Sequence, residues 1–177
     1  FKGNEQLTFY HFAPEDSLRK FINNYFCNNI SYKTFDLLAN NVDINADLTN
    51  LDMIENDVCD FFICSHILEH IEEDMKAITE LYRITKPGGK GIIMAPISLA
   101  INESVENIPE VQTDEDRWKY YGQNDHIRLY AKNDFVSRIS DSGFKLHQCD
   151  IKYFGKEIFS RLGLKSTSTL YVVEKEA

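Results

Sequence analysis

The sequence has no C-x-x-C pair: its four cysteines, Cys27, Cys59, Cys64 and Cys149, are scattered. That argues against a disulfide framework and fits a reduced, cytoplasmic setting. It has no apolar run near the roughly 18 residues needed to cross a bilayer. It has no basic-then-apolar opening of the kind that marks a signal segment. Internal repeats and low-complexity tracts are missing as well. Positive charge is in short supply, with a formal net charge of -9 and a pI near 5.0. A general binder of phosphate backbones would normally be basic, so the balance argues against nucleic acid as a partner.

What is present is an ordinary globular mixture, 43% hydrophobic and 27% charged over 177 residues, enough for one domain with a real core. The start at Phe1 rather than methionine is consistent with residues missing upstream. "LTFYHF" reads as a first strand. After "APEDS" the apolar residues Leu18, Phe21, Ile22, Tyr25 and Phe26 recur at helical spacing, with Asp16 or Ser17 as the cap. "SYKTFDL" and "VDINADL" read as further strands, and "DFFICS" as a strand buried on both faces. "EEDMKAITELYRIT" is an amphipathic helix stopped by "KPGGK", and "GIIMAPI" is the next strand. Residues 98–130 show no clear period and read as a long loop or insertion that sets substrate choice. A helix capped by Asn133 and ended by Gly143 follows, then the strands "KLHQCDI" and "STSTLYVVEK". This alternation predicts an α/β domain, a mostly parallel sheet covered by helices. Ligands of such sheets sit beyond the carboxyl ends of the strands. Those ends lie here at Ala13–Asp16, Asp36–Leu38, Asp47–Leu48, Ser65–His66 and Pro96–Ser98.

One motif points elsewhere. His66-Ile-Leu-Glu69-His70 has the H-x-x-E-H spacing of a zinc-protease helix. A zinc helix needs both histidines on one exposed face and a third ligand. Here His66 directly follows a buried strand, and nothing downstream marks a further acidic ligand. A zinc hydrolase is therefore set aside, and no metal is expected.

The stretch "DFFICSHILEHIEEDMKAITELYRITKPGGKGIIMAPIS" closely resembles the middle of class I S-adenosylmethionine-dependent methyltransferases, and most of all the methyltransferase type 11 group. The resemblance covers about forty contiguous residues, and the flanking elements agree with it in order. It implies a Rossmann-like three-layer sandwich with a seven-stranded sheet whose last strand is antiparallel. The whole chain, 1–177, would be one methyltransferase-like domain without a counterpart of the family's N-terminal lid helix. The cofactor implied is S-adenosyl-L-methionine.

The resemblance also assigns residues. The turn Phe12, Ala13, Pro14 and Glu15 stands where the family carries G-x-G-x-G, and His11 where an acid is common. Asp36, with Leu37, would hold the ribose hydroxyls; the alternative for Asp36 is a turn cap. Asp47 and Leu48 would meet adenine, and Ser65, His66 and Ile67 would line the methionine end. Glu69 and His70 would brace the following turn. On the acceptor side, "YGQNDHIRLY" offers His126 as a base or acceptor contact, with Tyr121 and Arg128 beside it. Trp118 serves equally well as an anchor of the insertion or as a substrate platform. The acid balance favours a small molecule, a sugar or a modified lipid headgroup as acceptor over nucleic acid, while a protein acceptor stays open. The glycine-free turn motivates one competing reading, a non-catalytic cofactor-binding or regulatory module.

Overall fold

The computed structural model describes residues 6–26 and 30–177; Cys27 lies outside them. Among the described residues, ten strands and six helices follow one another in the order the alternation predicts through the first half. The strands are β1 (Leu7–Phe12), β2 (Ile30–Asp36), β3 (Ile44–Asn45), β4 (Cys59–Ser65) and β5 (Thr85–Met94). Helix α1 (Asp16–Phe26) lies between β1 and β2, and α2 (Asp74–Ile84) between β4 and β5. A single 3-10 turn, Leu68–His70, joins β4 to α2.

The second half departs from expectation in two places. Residues 98–130 are not a structureless loop. They contain β6 (Ile97–Ser98), β7 (Val105–Glu106), α3 (Asp114–Tyr121) and the start of β8 (Arg128–Ala131), and the three strands form a small sheet in the order β6-β8-β7. Helix α3 begins in a capping box. The Thr113 side chain accepts from the Asp116 N–H while Asp116 accepts from Thr113, and Gly122 ends the helix at φ 84°. After α4 (Lys132–Asp141) and β9 (Lys145–Cys149), the chain forms α5 (Ile151–Phe154) and α6 (Lys156–Arg161) before β10 (Leu170–Glu174). Asp150, read as the end of a strand, instead caps α5 by accepting from the Lys152 and Tyr153 N–H groups. The expected cap of α4 also moves, from Asn133 to Ala131.

The main sheet has the order β3-β2-β1-β4-β5-β10-β9. β1 pairs parallel with β2 and β4, and β4 with β5, while β10 runs antiparallel to both its neighbours. The Rossmann-like sheet with an antiparallel last strand is therefore present. "KPGGK" ends α2 as expected but belongs to the irregular start of β5, where the register with β4 slips between Cys59 and Phe61. Gly91 is required there, because a Cβ would fall 2.2 Å from the Phe62 ring.

Helix α2 buries Ala77, Ile78, Leu81 and Ile84 on one face, which is the i, i+3, i+4 spacing of its sequence. These side chains join Phe12, Phe35, Phe62, Ile93, Tyr130 and Phe135 in one core. Helix α1 is different: only Ile22 is buried, and Phe21, Tyr25 and Phe26 are exposed. The short β8 brings the insertion into the core through Tyr130 and Ala131, both fully buried.

Candidate active site

The carboxyl ends of β1, β2 and β3 open onto a cleft of about 460 Å³, within the usual range for small-molecule sites. Phe12, Ala13, Asp36, Leu37, Asp47, Leu48 and Ile67 line it, seven of the residues expected there from the sequence. Phe35, Leu38, Ala46, His70, Ile71 and Asp125 complete the wall.

The turn after β1 shows how the chain manages without glycine. Ala13 adopts φ 44°, a left-handed conformation that costs an alanine about 1–2 kcal/mol. It is held there by its N–H, which donates to the Phe35 carbonyl at 2.7 Å. The next residues do not enter the cleft. The Glu15 carboxylate turns back to His11, accepting from Nε2 at 3.1 Å, while the Tyr32 hydroxyl donates to Nδ1 at 2.7 Å. Burial lowers the His11 pKa, and Glu15 works against that shift. Burial also pushes Tyr32 up to about 12, which keeps its hydroxyl a donor. Pro14 and Glu15 are thus scaffold residues rather than part of the lining.

Asp36 does cap its own turn: Oδ1 accepts from the N–H groups of Leu38 and Ala39, both at 2.8 Å. Its second oxygen takes no hydrogen bond among the described residues and remains free for a ligand at the cleft. The two readings of Asp36 are therefore compatible. Leu37 and Leu38, 59% and 82% exposed, present apolar surface at the rim. Asp47 accepts from the Thr49 N–H and hydroxyl, both at 2.8 Å, and those bonds hold its carboxyl below the usual range. An ionised acid, an acid with a free oxygen and apolar rim surface fit a nucleoside-bearing cofactor such as S-adenosylmethionine.

At the end of β4, Ile67 lines the cleft while Ser65 and His66 do not. His66 has φ 56° and an outward, exposed ring. The H-x-x-E-H residues do not lie on a helix, since only Leu68–His70 form a 3-10 turn. His70 is the histidine that reaches the cleft. Its Nδ1 donates to the Asp125 carbonyl at 3.1 Å, and the Ile127 N–H donates to the Glu69 carbonyl at 3.0 Å. The pair ties its turn to residues 125–127, His70 through its ring and Glu69 through its backbone carbonyl rather than its side chain.

His126 stands directly behind His70, buried, with ring centroids 4.9 Å apart. It does not itself line the cleft. Tyr121 and Arg128 line a separate polar hollow with Glu72 and Arg117. The Arg128 guanidinium is occupied: Nη1 lies 2.6 Å from Asp74 Oδ2, and Nη2 donates to the Glu72 carbonyl at 2.8 Å. Nε lies 3.1 Å from Glu106 Oε2 at an angle outside hydrogen-bonding geometry. Arg128 is therefore a brace of the insertion rather than a substrate contact. Trp118 is 58% exposed and anchors no core. The sequence reading placed Leu38 at a ligand-facing strand end but missed Ala46, Ile71 and Asp125 as lining, because each lies in a turn whose direction the sequence does not reveal. A separate apolar cavity of about 400 Å³ lies between the end of β5 and α5–α6, against Met94, Phe154 and Phe159.

Comparison with known proteins agrees with this geometry. A family model described as a methyltransferase domain, of the type 11 group, matches residues 13–93. No curated protein matches the chain. Among solved structures, one similar chain comes from the complex of the Trm112 methyltransferase activator of Haloferax volcanii with a protein assigned as a methyltransferase. The likeness covers 99% of this chain and 85% of that one, with a TM-score of 0.66 and 13% identity. A SAM-dependent methyltransferase from Archaeoglobus fulgidus is similar over 96% of this chain and 86% of its own, with a TM-score of 0.60 and 11% identity. Haemonchus contortus phosphoethanolamine N-methyltransferase 2, solved with phosphomonomethylethanolamine and S-adenosylhomocysteine, is similar over 99% of this chain at a TM-score of 0.58 and 13% identity. This chain spans 50% of that protein's length. At such identities the structures speak for the fold, and the family model speaks for the domain at residues 13–93 within it. Residues 13–93 thus match a type 11 methyltransferase domain, and the chain as a whole shares its fold with solved methyltransferase structures.

Proposed function

We propose that this methyltransferase transfers the methyl group of S-adenosylmethionine to a small-molecule or sugar acceptor. The observation that carries the reading is the cleft at the carboxyl ends of β1–β3, with a free Asp36 oxygen on its wall. When bound, the cofactor supplies a methyl group that is already activated. What the chain adds is alignment, which can contribute about 7 kcal/mol or more. Asp36 would hold the ribose hydroxyls through its free oxygen. Leu48, buried beside the rim, and Asp47 would frame adenine, and the left-handed turn at Ala13 would let backbone approach the ligand. Ile67 and Ile71 make the wall beyond the end of β4 apolar. On the acceptor side the polar groups at the cleft are His70 and Asp125, with His126 held behind His70. The charge of -9 supports a small or sugar-like acceptor over a polyanion. Among the described residues, no helix is long and apolar enough to cross a membrane.

Calorimetry with S-adenosylmethionine tests the reading. A charged hydrogen bond contributes about 1.5–3 kcal/mol, so Asp36→Ala should weaken binding by roughly 10- to 100-fold. Asp36→Asn keeps the acceptor oxygen for the turn and should lose about tenfold. Unchanged affinity in both variants would remove Asp36 from the site. An absence of binding to the unaltered chain at millimolar cofactor would favour the non-catalytic module, whose motive is the glycine-free turn.

A further inference from the structure

Glu69 is 1% exposed, and neither of its carboxylate oxygens has a hydrogen-bond partner among the described residues. His66 Nδ1 lies 3.3 Å from Oε1 but outside hydrogen-bonding geometry, on a ring that is 60% exposed. Buried carboxylates are normally paired or bound to a metal, because desolvation of the charge is otherwise uncompensated. What faces this carboxylate is a pair of histidines.

His70 and His126 meet edge to face, with ring planes at 81°. Each directs Nδ1 at a backbone carbonyl: His70 at Asp125, 3.1 Å away, and His126 at Tyr121, 3.4 Å away. A carbonyl only accepts, so Nδ1 carries the proton in both rings and each Nε2 keeps its lone pair. Orientation of a histidine by a backbone carbonyl on its other nitrogen is the arrangement that supports metal-ligating histidines. One donor atom from each of Glu69, His70 and His126 lies within 4.8 Å of the other two.

We infer that Glu69, His70 and His126 form a binding site for one divalent transition-metal ion, and that zinc suits it. Two neutral imidazoles and a carboxylate form a borderline donor set; calcium and magnesium would call for more oxygen ligands. Three protein ligands leave a coordination position open, as in catalytic rather than structural zinc sites. His70 lines the cleft, so that open position is reached from the side on which an acceptor enters. The two halves of the site come from the 3-10 turn after β4 and from the segment before β8, 56 residues apart. This is not the H-x-x-E-H helix: His66 hangs outward, and the third ligand is His126. The inference does not depend on methyl transfer, because it rests on the geometry of these three side chains alone.

The test uses the full chain, stripped with a chelator and titrated with zinc by calorimetry. Binding at one ion per chain is expected, weakened at least tenfold by His126→Ala and by Glu69→Gln. It should be unaffected by His147→Ala, a surface histidine on β9. Cobalt bound to the unaltered chain should give the intense visible bands of a four- or five-coordinate site, and His70→Ala should abolish them. Circular dichroism identifies any variant that fails to fold; the cobalt spectrum of the unaltered chain then decides. No zinc binding, equal binding by all variants, or a weak six-coordinate cobalt spectrum would overturn the site. Binding of S-adenosylmethionine to the stripped chain is measured alongside, so that failure here remains distinct from failure of the methyl-transfer reading.

Discussion

Two buried acids lie five residues apart, at the junction between the 3-10 turn and helix α2, and they are treated in opposite ways. Asp74, 3% exposed, sets Oδ2 2.6 Å from Arg128 Nη1, Arg138 Nη1 and the Tyr130 hydroxyl. Glu106 pairs with both arginines from β7, so two cations meet two anions and the network closes on itself. Glu69, 1% exposed, has no hydrogen-bond partner among the described residues, and two imidazoles with free nitrogens face it. Both clusters link the turn before α2 to the insertion. The difference separates a fastening from a site. A charge-balanced network, in which Arg128 Nε alone lacks a hydrogen bond among the described residues, holds the insertion against the core. An unsatisfied one keeps donor atoms available for something absent from the chain itself.

The largest effect should come from breaking the closed network. Asp74→Ala leaves Arg128, 4% exposed, and its half-buried neighbour Arg138 with Glu106 as their one remaining carboxylate among the described residues. Removing one partner of a buried ion cluster costs about 3–5 kcal/mol, and urea unfolding should show a loss of that size. A loss under about 1 kcal/mol would mean that the cluster is no fastening at all. Glu69→Gln in the metal-stripped chain should move the other way. Replacing an unpartnered buried carboxylate with a neutral amide relieves desolvation, so a gain of about 1 kcal/mol is expected. If this variant instead destabilises the stripped chain as Asp74→Ala does, Glu69 has a structural partner and the contrast between the two acids fails.

How much of this was legible in the sequence follows from the range of the interactions. "DFFICS" and "ELYRIT" carry their burial in their own spacing, and β4 and α2 appear where those patterns stand. Asp36 and Asp47 could be placed because one ends β2 and the other lies two residues beyond β3, strands whose direction the sheet dictates. The small sheet of the insertion could not, because β6 and β7 are two residues each and have no period to read. Its helix α3 did carry a signal, Thr113-x-x-Asp116, that was passed over. Helices α5 and α6 were hidden by Gly155, which interrupts the apolar spacing of Phe154, Ile158 and Phe159. The cluster around Glu69 was out of reach for a different reason. Its ligands are contiguous only in part, and the decisive one, His126, arrives through the fold.

His11 falls between the two acids, and its pair with Glu15 offers the finest test of how this fold treats buried charge. The His11 ring is fully buried, but its carboxylate partner is 45% exposed, so the pair is neither closed like Asp74 nor left open like Glu69. Burial is the largest influence on His11 and lowers its pKa from 6.5. The folded chain therefore binds a proton there less readily than the unfolded chain. Stability from this group is fully present above pH 6.5 and declines as pH falls from 6.5 toward the lowered folded value. Glu15 opposes the shift, so its removal should widen that window. Thermal unfolding between pH 7 and pH 5 should show a fall in midpoint for the unaltered chain and a steeper fall for Glu15→Gln. The effect should be smaller than either acid substitution, because solvent screens the exposed half of the pair. A profile that flattens in Glu15→Gln would mean that Glu15 holds the imidazole neutral rather than favouring its charge. The glycine-free turn after β1 would then be fastened by the hydrogen bond alone.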